Sequence, residues 1–231
     1  MNSAKNTPRL LGAAFLFVFV ASILSGLLLT SVVGTGSISD ILVNISDNPI
    51  LMRNSILVGL VTSIGIVVLA VLLYVVLHKQ NKIIALVALG WWLAEAITLA
   101  VSKIGLLALI PLSLEFVGAG APGPSYYQTL GDFLYSGVYQ LGDDIHMLFY
   151  CLGGILWFYL FYRSRYIPRV LSVFGLAIES LALIGMVLWL LAVSDNMLFF
   201  YPIIVLELAI GLWLMVKGIR DGSETKTESQ T

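Results

Sequence analysis

An all-α polytopic membrane protein of six transmembrane helices, with both termini cytoplasmic, is implied by composition, by the length of the weakly charged runs and by the placement of the basic residues. Of 231 residues, 59% are hydrophobic and 11% charged, whereas soluble domains carry about 25% charged residues. That balance excludes a soluble globular domain and a disordered chain. With 12 Lys and Arg against 13 Asp and Glu, and a net charge of -1, there is no bulk positive field to hold nucleic acid. The partner expected is the lipid bilayer.

Crossing about 30 Å of hydrocarbon takes roughly 20 helical residues. Six runs have that length. Residues 10–33 and 54–77 contain no charge, while 83–110, 144–162, 170–193 and 198–216 carry a few. Lys5 and Arg9 precede the first run, which outlasts the roughly 7–15 apolar residues of a signal peptide and is expected to stay as a span. Lys79 and Lys82 join the second run to the third, and Arg163, Arg165 and Arg169 join the fourth to the fifth. Lys217, Arg220 and Lys226 follow the sixth, so 10 of the 12 basic residues fall on one side. Lys and Arg are retained in cytoplasmic loops, which makes that side the inside. Asp40, Asp47, Glu115, Asp132 and Asp195 fall on the other. Tyr and Trp favour the two interfaces, which assigns Trp157, Tyr162, Tyr166 and Trp213 to an inner belt and Trp189, Tyr201 and Tyr135 to an outer one.

The two longer outer connections hold the irregular structure. The second contains Pro111, Pro122 and Pro124 and is expected to turn. After it, Tyr126, Leu130, Phe133, Leu134, Val138 and Leu141 recur at helical spacing, which suits a helix lying on the outer surface or extending the fourth span. There is no Gly-rich phosphate loop. Cys151 is alone, which excludes an internal disulfide and any multi-cysteine metal site, and no cofactor is expected. Residues 1–220 read as one membrane domain, and 221–231 as a short polar tail with a disordered composition.

Counted from the inner boundary at about 1.5 Å per residue, Glu95 lies roughly 18 Å deep and Glu179 and Glu207 roughly 15 Å each. An acid at such depth costs about 2.5 to 3.5 kcal/mol on insertion scales, and an interhelical hydrogen bond returns only about 0.6 kcal/mol on average. Two readings follow. The three acids serve as polar contacts between helices, or they converge on one water-accessible pocket and bind a proton, a cation or a cationic substrate. Lys103, about two turns outward of Glu95, is expected to snorkel to the outer interface.

Asp143 and His146 stand three residues apart on one helical face, a carboxylate-x-x-His spacing used by metal ligands, while Asp144 points elsewhere. The competing reading makes Asp143 or Asp144 an N-cap and His146 an interface residue. Ser22 with Gly26, and Gly59 with Ser63, have the small-xxx-small spacing of close helix contacts.

The run Tyr162, Arg163, Ser164, Arg165, Tyr166, Ile167, Pro168, Arg169, followed by Val170, Leu171 and Gly175, resembles the loop between spans four and five of the domain-of-unknown-function 4386 family. Pro202, Glu207, Gly211, Leu212, Trp213, Lys217 and Gly218 resemble that family's closing segment, and Arg9, Leu10 and Gly12 its start. The resemblance covers nearly the whole chain. It implies a small multi-span protein of the bacterial plasma membrane, and it brings no activity, substrate or catalytic residue.

Three functions are compatible with these residues. The leading one is a small transporter with a midplane carboxylate site of Glu95, Glu179 and Glu207, coupled to a proton or a cation, for an unidentified small molecule or cation. Three spans followed by three of opposite orientation would permit an inverted repeat. The second is an intramembrane enzyme acting on lipid, with Asp143, Asp144 and His146 as metal ligands or general acid and base. The third is a non-catalytic membrane sensor or assembly component. Nothing in the chain specifies an oligomeric state.

Overall fold

The computed structural model describes residues 3–194 and 196–219. Asp195, Arg220, Lys226, the tail 221–231 and the side chain of Lys5 lie outside the described residues. Regular structure is helical throughout them: α1 (Ser3–Val33), α2 (Ile38–Asp47), α3 (Pro49–Leu77), α4 (Lys82–Gly118), α5 (Tyr126–Asp132), a π-helix (Phe133–Gln140), α6 (Leu141–Ser164), α7 (Arg169–Leu190), a 3₁₀ turn (Met197–Phe199) and α8 (Tyr201–Lys217).

Among the described residues, five helical stretches are long and apolar enough to cross a membrane: Pro8–Val33, Pro49–Leu77, Lys82–Gly118, Tyr126–Ser164 and Arg169–Leu190. The sixth apolar segment, α8, has 17 residues, or about 25 Å of helix. Every one of these helices leaves large aliphatic side chains exposed, among them Leu27, Ile64, Ile97, Val173 and Ile204. Such surface is tolerable only against lipid or another apolar partner. The protein is a multi-span α-helical membrane protein.

The chain divides into two compact units, one formed by the described residues within Met1–Phe19, Gly65–Glu95 and Met147–Thr231 and the other by Val20–Ile64 and Ala96–His146. In the first unit, an aromatic core forms where the Phe15 ring meets Trp92 edge-on, and Trp92 meets Trp157 in the same way. Trp157 is 1% exposed, which corrects its assignment to an interfacial belt. Its ring finds other aromatic partners, so burial wins over the interface. Gly12 brings α1 against the backbone of α8 at Leu214 and Met215. The loop between α6 and α7 turns through Arg165 in the left-handed region, and Pro168 immediately precedes the first residue of α7.

The second unit has a core of Leu29, Val32, Ile41, Leu42, Ile45, Leu106, Leu109, Ile110 and Phe116 with their neighbours. It explains two departures from expectation. Residues 37–47 form α2, which the sequence reading treated as part of an irregular connection. Ser37 and Asp40 close a reciprocal capping box, and Ile41, Leu42 and Ile45 then fall on one buried face. The second departure is α4, which runs through Pro111 to Gly118. Proline removes one backbone donor, but Leu109, Ile110, Leu112 and Phe116 continue a buried stripe across it. Tyr126–Ser164 runs as a single helical stretch, so the segment after Pro124 extends the fourth span rather than lying apart from it.

Candidate functional site

The first unit contains all three acids that the sequence places deep in the bilayer. Glu95 comes from α4, Glu179 from α7 and Glu207 from α8; Glu95 is 4% exposed and Glu179 fully buried, while Glu207 is half-buried. Glu95 lies within electrostatic range of Glu207 and Glu179, and Glu179 of Glu207. The fourth member is Tyr150 of α6, whose hydroxyl donates to Glu207 Oε1 at 3.1 Å. Tyr150 is itself held by Trp92, which stacks on its ring with centroids 5.9 Å apart and donates from Nε1 to its carbonyl oxygen at 3.1 Å.

Two adjacent glycines of α6 make room for this arrangement. The Trp92 indole occupies the space that a methyl group on Gly153 would take, and the Glu179 carboxyl carbon is 2.6 Å from where a methyl group on Gly154 would sit. Neither Tyr150 nor the glycine pair stands out by helical spacing or charge. Adjacent glycines inside an apolar run were the available signal, because each marks a place where another group approaches the helix backbone.

Hydrogen bonding in this cluster is incomplete. Glu95 Oε2 and both oxygens of Glu179 are buried with no donor in hydrogen-bond geometry, although the Tyr150 hydroxyl and the Cys151 thiol sit beside Glu179. Between Phe15, Trp92, Trp157, Phe161, Glu179 and Glu207 there is a small cavity of about 10 Å³, room for about one water-sized occupant. Three hydroxyls of the spans donate to carbonyls one turn back: Ser172 to Pro168, and in the other unit Thr62 to Val58 and Ser63 to Gly59. None of these is poised as a nucleophile.

The second unit holds the remaining sequence candidates. Lys103 is buried and forms an ion pair with Asp143, Nζ to Oδ1 2.7 Å, which corrects the expectation that it snorkels to an interface. A nearby carboxylate and the Tyr139 ring, 4.8 Å from Nζ to its centroid, hold it inside instead. His146 Nδ1 faces the backbone oxygen of Asp143, so the Asp143 carboxylate and the His146 ring are engaged with different partners. Among the described residues no group of three His, Cys, Asp or Glu is assembled for a metal ion. The N-cap reading of Asp143 and Asp144 is also corrected. The π-helix leads into α6 without a break, so there are no free N–H groups of a helix start for them to receive. A chamber of about 210 Å³ is lined by Lys103, Tyr139, Asp143 and His146 together with Ser22, Gly26 and Thr62.

A family profile described as domain of unknown function (DUF4386) matches residues 10–218. No curated protein and no solved structure matches the chain.

Proposed function

The chain belongs to the family described as domain of unknown function DUF4386, and we propose that it is a small transporter whose carboxylates Glu95, Glu179 and Glu207 bind a proton or a cation. The observation that supports this reading is the set of buried oxygens on Glu95 and Glu179 with no donor in hydrogen-bond geometry. Acids retained only to join helices would spend their oxygens on donors from those helices, as buried polar groups ordinarily do. In this cluster Tyr150 supplies such a bond, to Glu207. Ionisable residues within membrane spans mark ion and proton pathways by default.

The cavity narrows the occupant. At about 10 Å³ it suits a proton, a water or a single ion and not an organic cation. Trp92 and Tyr150 present aromatic surface at its wall, which favours positive charge. The proposal includes six spans, with α8 as the sixth, in one domain over residues 1–220 of the bacterial plasma membrane, with both termini cytoplasmic. The side that holds Arg9, Lys79, Lys82, Arg163 and Lys217 would then face the cytoplasm.

Thermal unfolding of the purified full-length protein in detergent, across pH and with Na⁺, K⁺ or Ca²⁺ added, tests the reading. The wild type is expected to respond to pH or to one of these cations, and Glu179→Gln to lose that response, since glutamine keeps the shape but does not titrate. Identical responses in both proteins would contradict it.

A further inference from the structure

The chamber in the second unit does not serve the carboxylate reading and shares no residue with it. Its wall carries one fixed charge of each sign. Lys103 is an ammonium with three donors, of which one goes to Asp143 Oδ1 at 2.7 Å. The Asp143 side chain keeps its second oxygen and is 35% exposed. Ser22 and Thr62 add hydroxyls at the wall, and a methyl group on Gly26 would meet nothing within 4 Å.

We propose that this chamber binds a small zwitterion, a molecule with an ammonium and a carboxylate a few bonds apart. Its carboxylate pairs with Lys103, and its ammonium with Asp143 and the face of Tyr139. Charge balance carries the argument. The wall is neutral as a pair, so a lone anion or a lone cation would leave an uncompensated charge in a low-dielectric site. A ligand bearing both signs instead opens the Lys103–Asp143 pair and satisfies each partner again. The Tyr139 ring, now facing the Lys103 ammonium at 4.8 Å, accepts the ligand's ammonium in the same way. Size agrees. A volume of about 210 Å³ holds several waters and thus has room for a molecule of several non-hydrogen atoms.

Titration calorimetry on the full-length protein in nanodiscs, with L-serine as the probe and propionate and ethanolamine as single-charge controls, tests this. L-serine is expected to bind, and each control to bind about tenfold more weakly or worse. Two variants are expected to weaken L-serine by about tenfold or more: Gly26→Val, which narrows the chamber and leaves the ion pair intact, and Lys103→Met/Asp143→Leu, which removes both charges together. If the double variant does not fold, Gly26→Val decides alone. The proposal is overturned if L-serine, glycine and β-alanine all fail to bind the wild type below about 10 mM, if propionate or ethanolamine binds as well as L-serine, or if Gly26→Val binds L-serine undiminished.

Discussion

The hydroxyl of Tyr150 on α6 donates a hydrogen bond to Oε1 of Glu207 on α8 across 3.1 Å. The donor's ring is fixed from behind by Trp92 of α4, through stacking and through the indole bond to the Tyr150 carbonyl oxygen. One tyrosine therefore connects an acid of the cluster to the aromatic core. Tyr150→Phe keeps the stacking and removes the donor, which strands a carboxylate oxygen at a cost of about 1 to 3 kcal/mol. A lowered thermal transition of the purified protein is the expected outcome. Glu207→Gln retains an acceptor for Tyr150 and is expected to lower the transition less. Equal transitions for wild type and Tyr150→Phe would show that the bond carries no stability.

The glycine pair of α6 predicts an order of damage. Gly153→Ala drives a methyl group into the Trp92 indole, a rigid ring pinned by its own hydrogen bond, and is expected to cost about 1 to 3 kcal/mol or more. Gly154→Ala meets the end of the Glu179 side chain, which can rotate, so the loss is expected to be smaller. Thermal unfolding of the two single variants checks the order.

For the Lys103–Asp143 pair, the less exposed partner sets the penalty. The lysine side chain is 7% exposed and the aspartate 35%, so Asp143→Asn strands the more deeply buried charge. It is expected to destabilise more than Lys103→Met, with both below the about 3 to 5 kcal/mol of a fully buried broken pair. Lys103→Met/Asp143→Leu is expected to recover most of the loss, because no charge is left unpaired. A double-mutant cycle on denaturation midpoints measures this.

Acid is expected to loosen the first turn of α2. Asp40 accepts from the Ser37 hydroxyl and from the Ser37 backbone N–H, and these bonds hold its carboxyl below the ordinary value of 3.8. A depressed folded-state pKa contributes stability above the unfolded value, and that contribution is lost as pH falls through the folded value. Hydrogen-exchange protection of the amides at positions 40–42 is expected to drop between pH 5 and pH 3, and Asp40→Asn is expected to abolish the difference. The effect is confined to α2, since the group is exposed.

Much of the architecture was legible because bilayer thickness is a strict ruler. The apolar runs correspond to α1, α3, α4, α6, α7 and α8, and their length with few or no charges marks them. Their ends were less legible. Pro111 reads as a stop, yet the stripe from Leu106 to Phe116 continues to bury against α2 and overrides the missing donor. Ser37 and Asp40, three residues apart, were a readable start signal for α2, and so was the spacing of Ile41, Leu42 and Ile45. For Glu95, Glu179 and Glu207, depth could be counted from sequence, whereas their angular facing could not. That depends on which side of each helix packs inward, and in helices apolar all round, little in the pattern distinguishes the sides. Lys103 was misjudged for a related reason: its partner Asp143 is 40 residues away in the chain, and no local spacing reveals the pair.

Proton flux in liposomes reads out the carboxylate site itself. The full-length protein is reconstituted with a trapped pH indicator, an imposed K⁺ diffusion potential and either Na⁺ or choline outside. Wild-type vesicles are expected to change internal pH, or take up Na⁺, faster than empty ones, and Glu95→Gln, Glu179→Gln and Glu207→Gln, folded by their thermal transitions, to fall towards the empty-vesicle rate. Wild-type vesicles indistinguishable from empty ones under every gradient, or Gln variants as fast as wild type, would contradict it.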